Sequence, residues 1–244
     1  MINKKTIIEN LKTLFYALII AIIIRSLLLQ PFYIPSSSME PNLLVGDRLF
    51  VTKYSFGYSK HSFPFSPNIF SGRILFSKPE VGDVVVFKTP SDNRTDYIKR
   101  LIGLPGDEIQ FIDGDLYINN NQIFKTLHKS IESIFCGKDK INVNFYNEKL
   151  PNGKIYRSSY RTKNSFQNSD KFLVPENHYF FLGDNRDCSK DSRYLSEVGY
   201  VHQNNLVGKA QFLFFSSDYR IGSIFKFWNW KNIIRFNRFF EKIN

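Results

Sequence analysis

An uninterrupted apolar run near the N-terminus constrains this chain more than any other feature. Every residue from Leu14 to Ile24 is apolar, and after Arg25 and Ser26 the run resumes at Leu27–Leu29. As a helix, residues 13–29 would be about 25 Å long, which spans most of a bilayer's roughly 30 Å hydrocarbon core if the arginine reaches toward the near interface. We therefore predict a transmembrane helix over 13–29.

The same run would also suit a secretory signal peptide that is removed, with Lys4 and Lys5 as its basic leader. No A-x-A-like cleavage site follows it and Arg25 interrupts it, so a retained anchor is favoured. Basic residues precede the helix, and loops rich in Lys and Arg stay in the cytoplasm. The prediction is a cytoplasmic N-terminus over residues 1–12 and export of everything after Gln30.

The distribution of charge favours a membrane partner over nucleic acid. The net charge is +11, of which residues 1–29 carry +3 and residues 221–244 carry +4. A nucleic-acid-binding protein concentrates positive charge on a folded face, whereas here it flanks the most apolar and aromatic ends of the chain. We expect a phospholipid membrane as a partner and no nucleic acid.

Beyond the anchor, short β-branched and aromatic runs alternate with turn residues, which predicts a mainly β, antiparallel fold class built as a sandwich or a partly open barrel. Such runs occur at Arg48–Tyr54, Asp83–Lys88, Tyr97–Gly103, Glu108–Ile112, Asp115–Ile118, His178–Leu182 and Ala210–Phe215. Residues 125–171 are rich in Asn, Lys and Ser and alternate only weakly. They indicate an inserted, smaller β subdomain.

These patterns predict the domain organisation. An exported β domain comprises residues 30–112 and 176–222, and the insertion takes up residues 113–175. Residues 223–244 mix aromatic and basic side chains, as in an amphipathic helix at the membrane interface or a terminal helix packed on the protein. Both alternatives are open for this membrane-proximal tail.

Two segments carry candidate catalytic groups. Ser36, Ser37 and Ser38 form a cluster between two prolines, a composition that is also typical of a linker. In the strand predicted over Tyr97–Gly103, Lys99 and Arg100 point to opposite faces, so one cation must be buried if both faces are covered. A buried lysine can lose its proton near neutral pH and act as a general base, whereas arginine cannot. Lys99 is therefore the candidate of the pair.

A third polar segment, Gly183–Arg193, mixes acids, bases and hydroxyls. Its acids do not follow the spacing of a calcium loop, and we predict a structural network that also places Ser189. The chain has two cysteines, Cys136 and Cys188, whose separation in sequence does not tell whether they pair.

Five blocks occur here in the order found in bacterial type I signal peptidases, which the chain resembles: PSSSMEP, GDRLFVTKYSFG, GDVVVF, DYIKRLIGLPGD and GDNRDCSKDSR. These membrane-bound serine proteases remove signal peptides from exported preproteins. The resemblance implies that Ser38 is the nucleophile and Lys99 the general base. It implies an oxyanion hole made by the Ser36 hydroxyl and the Ser38 N–H, and a lysine-orienting role for Ser189.

The resemblance also implies shallow apolar subsites that accept small side chains, lined by Phe32, Ile34, Met39, Leu43, Tyr97 and Ile98. Asp191 and Arg193 would support the third segment. No cofactor and no metal are expected, and the location would be the plasma (inner) membrane, with the catalytic domain on the exported (periplasmic) side. The chain departs from the family's usual pattern at Ser37, where glycine is common, and at Asn42, where threonine is common.

The alternatives belong to different functional classes. One is a related membrane-anchored protease dedicated to a single substrate. Another is a non-catalytic, membrane-anchored β protein that binds peptides or anionic lipid, which a missing member of the Ser38 and Lys99 pair would favour. Both residues are present.

Overall fold

The computed structural model describes residues 4–68, 70–218, 220 and 227–243. Helix α1 spans Lys4–Ile23, and a π-helical turn over Ile24–Leu28 joins it to the first strand. The stretch Lys5–Leu28 is long and apolar enough to cross a membrane, and the protein buries almost none of it. The helix begins well before the predicted residue 13 because residues 4–12 contain neither glycine nor proline.

After the helix, strands dominate the described residues, and the mainly β, antiparallel fold class is confirmed. The strands are β1 Leu29–Tyr33, β2 Asp47–Thr52, β3 Val84–Lys88, β4 Asp96–Gly103, β5 Glu108–Ile112, β6 Asp115–Ile118, β7 Asn121–Gln122, β8 Phe124–Cys136, β9 Asp139–Lys149, β10 Ile155–Arg161, β11 Phe172–Leu173, β12 His178–Leu182, β13 Val201–His202 and β14 Leu206–Ser216. Short helical turns occupy Lys60–Ser62, Arg186–Cys188, Gln203–Asn205, Phe227–Asn229, Trp230–Ile233 and Phe236–Arg238.

A seven-stranded antiparallel sheet forms the centre of the molecule, in the order β1-β2-β14-β3-β4-β12-β13. Both of its faces are covered. Along β3, Val84 and Val86 join one buried cluster and Val85 and Phe87 join another, as alternation in a strand requires. A strand covered on both faces has no solvent-facing side, so every side chain in its middle is buried.

Two smaller sheets adjoin the central one. Strands β5, β6, β7 and β11 form one in the order β11-β5-β6-β7, and β8, β9 and β10 form the other in the order β10-β9-β8. Strand β5 pairs with β6 across the predicted domain boundary at residue 112, because the turn at Asp113 and Gly114 joins them as a hairpin. The domain boundaries stay a prediction.

The described part of the C-terminal segment packs on the protein. Ile233 and Ile234 are buried there, whereas Trp228 and Phe240 expose 71% and 76% of their surface. The described residues thus follow the packed alternative, although they form short turns instead of a long helix. Residues 223–226 and 244 of the predicted tail lie outside the described residues, and the tail's proximity to a membrane stays a prediction.

Candidate active site

The serine cluster lies on a loop between β1 and β2, residues 35–46, called the serine loop below. Its ends are closed by two backbone hydrogen bonds: the Ile34 N–H donates to the Asp47 carbonyl, and the Gly46 N–H donates to the Ile34 carbonyl, both at 2.9 Å. Inside the loop, the Glu40 N–H donates to the Ser37 carbonyl at 3.0 Å. This tight turn points the Ser38 side chain inward, where only 6% of the residue is exposed.

Lys99 reaches the serine loop from β4. Its Nζ lies 2.6 Å from the Ser38 Oγ, although the two residues are 61 positions apart. The lysine is 3% exposed, and Arg100, its neighbour on the opposite face, is 1% exposed. The sequence argument expected one buried cation, but both are buried because the central sheet is covered on both faces. Arg100 stays charged through a bidentate ion pair with Asp184, at 2.7 and 2.8 Å.

The surroundings of Lys99 favour its neutral form. Burial lowers the pKa of Lys99 from 10.5 to about 8, because an ammonium group loses its hydration there. The nearby carboxylates of Asp191 and Asp184 oppose the shift and keep it moderate. A pKa of about 8 leaves a useful fraction of free amine near neutral pH. A free amine 2.6 Å from a hydroxyl can accept its proton.

Two hydrogen-bond donors lie beside the Ser38 hydroxyl. The Ser36 Oγ is exposed and lies 3.4 Å from the Ser38 Oγ. The Ser38 N–H has no acceptor among the described hydrogen bonds. Both donors therefore remain available for an oxygen atom that develops negative charge next to Ser38, as an oxyanion hole requires.

Ser189 lies beside the pair but does not hold the lysine by a hydrogen bond. Its side chain is buried, and within the described part of the chain its hydroxyl makes no hydrogen bond of ordinary geometry, although the Asp191 carboxylate is nearby. Asp191 instead forms an ion pair with Arg193 at 2.8 Å and accepts the Gly183 N–H at 3.0 Å. This supporting pair holds the segment that carries Ser189. The lysine-orienting role of Ser189 stays a prediction.

The sequence did not single out Asn185, which fastens the third segment to the serine loop. Its backbone N–H donates to the Ser38 carbonyl and its Nδ2 to the Ser37 carbonyl, both at 3.1 Å. A second link runs from the serine loop to the third segment, where the Asn42 Nδ2 donates to the Asp184 carboxylate at 2.7 Å. The asparagine that replaces the family's threonine therefore forms part of the bridge, and an asparagine in a turn segment gives no signal of such a contact.

Glycine at 183 lets the two segments approach closely. A Cβ at this position would lie 2.2 Å from the Ser189 Oγ and 2.5 Å from the Ser38 carbonyl oxygen. We expect Gly183→Ala to lower stability by about 1–3 kcal/mol and cleavage activity by roughly 10-fold or more, because the serine loop must shift. Unfolding by denaturant and initial cleavage rates measure both effects.

Gly153→Ala is the matched control for Gly183→Ala. A Cβ at Gly153 meets nothing within 4 Å, and its only cost is the positive φ of 83°. We expect it to cost about 1 kcal/mol of stability and no activity. Equal activity in the two variants would contradict the close contact at Gly183.

A buried ion pair ties β9 to the third segment. Arg186 and Glu148 are each 1% exposed and pair through two contacts of 2.8 and 2.9 Å. The hydroxyls of Ser158 and Tyr160 donate to the same carboxylate, at 2.7 and 2.8 Å. Burial alone would raise the pKa of Glu148, but the Arg186 guanidinium and these hydroxyls bring it below its ordinary value.

A disulfide adds a covalent link at the same place. Cys136, at the end of β8, is bonded to Cys188, next to Ser189. The pairing that the sequence left open is therefore present. Together with the Arg186 and Glu148 pair, it fixes the wall of the site against β8 and β9.

A cavity of about 420 Å³ opens beside Ser38 and Lys99. Four of the predicted substrate-binding residues line it: Phe32, Ile34, Tyr97 and Ile98. Met39 and Leu43 do not line it. They are 0% and 1% exposed and belong to the same buried cluster as Ile34, and their place in the subsites stays a prediction.

The backbone beside the cavity is suited to bind an extended chain. Strand β1 is an edge of the central sheet, and the first half of β4 pairs only with β3 among the described strands. The N–H and carbonyl of Leu101 point toward β3, so by alternation those of Asp96 and Ile98 point the other way, toward the cavity. A peptide between β1 and β4 could therefore add as a strand.

The fold and this site define a serine endopeptidase with an N-terminal apolar helix that fits a membrane anchor. The family model described as "Signal peptidase, peptidase S26" matches residues 7–215. The chain belongs to this family of signal peptidases, whose signal peptidase I members are membrane-anchored.

Curated relatives match nearly the whole chain. The signal peptidase I of Rickettsia bellii (strain OSU 85-389) is 41% identical over 260 residues, covering 99% of this chain and 87% of that protein. The signal peptidase I of Rickettsia typhi is also 41% identical, over 99% of this chain and 96% of that protein. A crystal structure of a signal peptidase I from Enterococcus faecalis V583 matches with 28% identity over 55% of this chain and 97% of that one, at a TM-score of 0.33.

Proposed function

We propose that this protein cuts N-terminal signal peptides from exported preproteins at the membrane surface, after small residues, with Ser38 as nucleophile and Lys99 as general base. The observation that carries the proposal is the 2.6 Å contact between the Lys99 Nζ and the Ser38 Oγ, at a cavity bordered by two strand edges. Relatives named signal peptidase I match 99% of the chain, which supports the substrate class.

Acylation begins when the free amine of Lys99 takes the Ser38 hydroxyl proton as the Oγ attacks the scissile carbonyl carbon. The carbonyl oxygen becomes an oxyanion within reach of the Ser38 N–H and the Ser36 hydroxyl. When the intermediate collapses, the C–N bond breaks and the Lys99 ammonium donates its proton to the leaving amine. The products at this stage are an ester on Ser38 and the released mature protein.

Deacylation repeats the proton transfers with water in place of the serine. The free amine of Lys99 takes a proton from a water molecule, whose oxygen attacks the ester carbonyl carbon. Collapse breaks the bond to the Ser38 Oγ, and Lys99 returns the proton to that oxygen. Serine and lysine return to their starting states, and the signal peptide leaves with a new carboxylate.

Small residues before the cut follow from the shape of the cavity. Its walls include Phe32, Ile34, Tyr97 and Ile98, and the core behind them is fully packed around Met39. A strand added between β1 and β4 would direct alternate side chains into this shallow space. Alanine leaves these walls undisturbed, whereas a side chain long enough to reach past them would have to displace the close-packed core around Met39.

Membrane attachment brings the site to its substrate. Helix α1 serves as the anchor, with Lys4, Lys5 and Lys12 on its cytoplasmic side, and the central sheet follows directly after it on the exported (periplasmic) side of the inner membrane. A signal peptide is itself an apolar segment in the same bilayer. Both partners therefore meet at one surface, with the cut close to it.

Cleavage of a purified preprotein by the full chain in detergent or in lipid vesicles tests the substrate class. We expect a single cut at the end of the signal peptide, identified by mass spectrometry of the new N-terminus. A preprotein with tryptophan in place of the small residue before the cut should be cleaved at least about 100-fold more slowly. Absence of cleavage, or cuts within the mature region, would contradict the proposed function.

A further inference from the structure

The C-terminal residues 234–243 lie along the end of β14, beyond the residues 7–215 that the family model matches. The Arg235 N–H donates to the Ser216 carbonyl at 3.0 Å, and the Phe240 N–H donates to the Leu213 carbonyl at 2.8 Å. A further bond at 2.8 Å joins the Ile243 N–H to the Gln211 carbonyl. This C-terminal strap is therefore fixed to the central sheet by its backbone.

Two arginines of the strap extend to the serine loop. Arg238 donates to the Asp47 carboxylate at 2.8 and 3.2 Å and to the Asn42 carbonyl at 2.8 Å. Arg235 donates from both Nη atoms to the Val45 carbonyl at 3.1 Å. The two guanidinium groups thus bind two backbone carbonyls of the serine loop and the side chain of Asp47, the residue that follows the loop.

Asp47 connects the strap to the shape of the loop. Its side chain is fully buried, and its carboxylate accepts the Leu44 N–H at 2.7 Å and the Ser216 hydroxyl at 2.6 Å in addition to Arg238. Its backbone carbonyl accepts the Ile34 N–H that closes the loop. A buried carboxylate needs its cation, so the loop base and Arg238 depend on each other.

The fit between loop and sheet end is close at Gly46. Its φ is +95°, and a Cβ there would lie 1.7 Å from the Ser217 carbonyl oxygen. The Ser217 N–H donates to the Gly46 carbonyl at 3.2 Å. The chain segment that leads into the strap therefore leaves the serine loop no room to move on this side.

The serine loop is thus held from two sides. The third segment holds it through Asn185, which binds the Ser37 and Ser38 carbonyls, and the strap holds it through the Asn42 and Val45 carbonyls. Nothing in the strap contacts Lys99 among the described hydrogen bonds and ion pairs. The strap can therefore act only on the position of the serine, and the lysine depends on the central sheet.

From these contacts we infer that Arg235 and Arg238 are positioning residues, which hold the serine loop so that the Ser38 Oγ faces the Lys99 Nζ. The inference rests on the proposed function, because it concerns the same reaction. A displacement of about 1 Å between reacting groups can lower a rate about 100-fold. Loss of either arginine should therefore reduce kcat while leaving the peptide-binding edges of β1 and β4 intact.

The test uses the full chain with Arg238→Gln, Arg238→Lys and Arg235→Gln, assayed on a preprotein. We expect kcat to fall about 10- to 100-fold for Arg238→Gln, with KM within about twofold of the parent value. Arg238→Lys should recover part of the rate, because one ammonium can reach the carboxylate but cannot bind the carbonyl in the same fork geometry. Arg235 contacts Asp47 at 3.6 Å, and Arg238 remains as the close cation of Asp47 in Arg235→Gln. This variant therefore tests the position of the serine loop with little risk to folding.

The pH dependence separates positioning from general damage. If the strap positions only the serine, the midpoint near pH 8 expected for Lys99 is unchanged in every variant, at a lower plateau. Because the Arg235 charge lowers the pKa of Glu40, the comparison is made in a Glu40→Gln background. A loosened core would let water reach the lysine and move its pKa up toward 10.5. Near-UV circular dichroism and the melting temperature confirm that the variants compared are folded.

Lys231→Gln is the charge-matched control, because Lys231 is an exposed cation that precedes the strap and forms no ion pair among the described residues. We expect it to match the parent enzyme. Parent-like kcat in a folded Arg235→Gln variant, a shifted midpoint, or an equal loss in Lys231→Gln would each overturn the inference. An inactive parent enzyme would instead refute the proposed function, which keeps the two failures distinct.

Discussion

Ser38→Ala lowers kcat/KM for preprotein cleavage by about 10³-fold or more, with no loss of folded protein. The expectation follows from the single nucleophilic oxygen that the Lys99 amine can reach at 2.6 Å. Removing the nucleophile of a hydrolase leaves only the residual catalysis that substrate binding and the oxyanion hole provide. Initial rates at saturating and limiting preprotein measure the loss, and the melting temperature reports on folding.

The two neighbouring serines give one test and one matched control for Ser38→Ala. Ser36→Ala removes one proposed oxyanion donor and should lower kcat by about 10²–10³-fold. Ser37→Ala should have little effect, because among the described residues the Ser37 hydroxyl makes one hydrogen bond, to the Cys188 sulfur at 3.6 Å. Activity retained by the Ser38 variant, or lost equally in all three, would refute the assignment of the nucleophile.

Lys99→Met abolishes cleavage and at the same time makes the folded protein more stable at neutral pH. The second effect follows from the pKa of Lys99, which burial lowers from 10.5 to about 8. Such a shift corresponds to on the order of 3 kcal/mol of destabilisation when the amine is charged. Methionine fills similar space without a charge, so we expect a net gain of about 1–3 kcal/mol at pH 7.

The shifted pKa of Lys99 also predicts how the free energy of unfolding changes with pH. The unfolded chain binds the Lys99 proton more tightly than the folded protein does, so wild-type stability is lowered in full below about pH 8 and recovers as the pH rises toward 10.5. Lys99→Met should show a smaller rise, because burial also lowers the pKa of Lys53 to about 8 and that lysine still contributes its own part. Denaturant unfolding at pH 7 and pH 10 measures it, and a variant less stable than the parent at pH 7 would contradict a buried, destabilised amine.

The rate of cleavage should also depend on the protonation of Lys99. We expect kcat/KM to rise with a midpoint near pH 8, because only the free amine accepts the serine proton. Burial also raises the pKa of Glu40, two residues after Ser38, to about 7, so this carboxyl titrates nearby. Glu40→Gln separates the two groups. A midpoint that disappears in this variant would assign the titration to Glu40 and remove the support for Lys99 as the base.

The local parts of the site were accessible to sequence reasoning. The serine cluster between prolines is a pattern of a few neighbouring residues. So is the strand that carries Lys99 and Arg100, and alternation along a strand is enough to derive that these two side chains point to opposite faces. The burial of both cations was not accessible, because it depends on layers that cover the sheet from distant parts of the chain. The same holds for Met39 and Leu43, since periodicity does not show which apolar side chain reaches a cavity.

Ion pairs between residues that are far apart in the sequence could not be predicted either. Glu148 and Arg186 are 38 residues apart, and Asp47 and Arg238 are 191 residues apart. A glutamate within an alternating strand and an arginine in an aromatic tail are each typical of solvent-exposed positions. Only the folded chain brings them into contact, where each charge is stabilised by the other.

The contacts of the serine loop determine when, during synthesis of the chain, the active site can form. Ser38 and Lys99 are synthesised first, Asp184 and Asn185 follow some 85 residues after Lys99, and Arg238 follows 200 residues after Ser38. A nascent chain that ends before Asp184 leaves Arg100 without the carboxylate of its buried ion pair, which disfavours that arrangement by about 3–5 kcal/mol. The serine loop can therefore take up its final contacts only after Asp184, Asn185 and Arg238 have all been synthesised, so an earlier, incomplete chain lacks the active geometry.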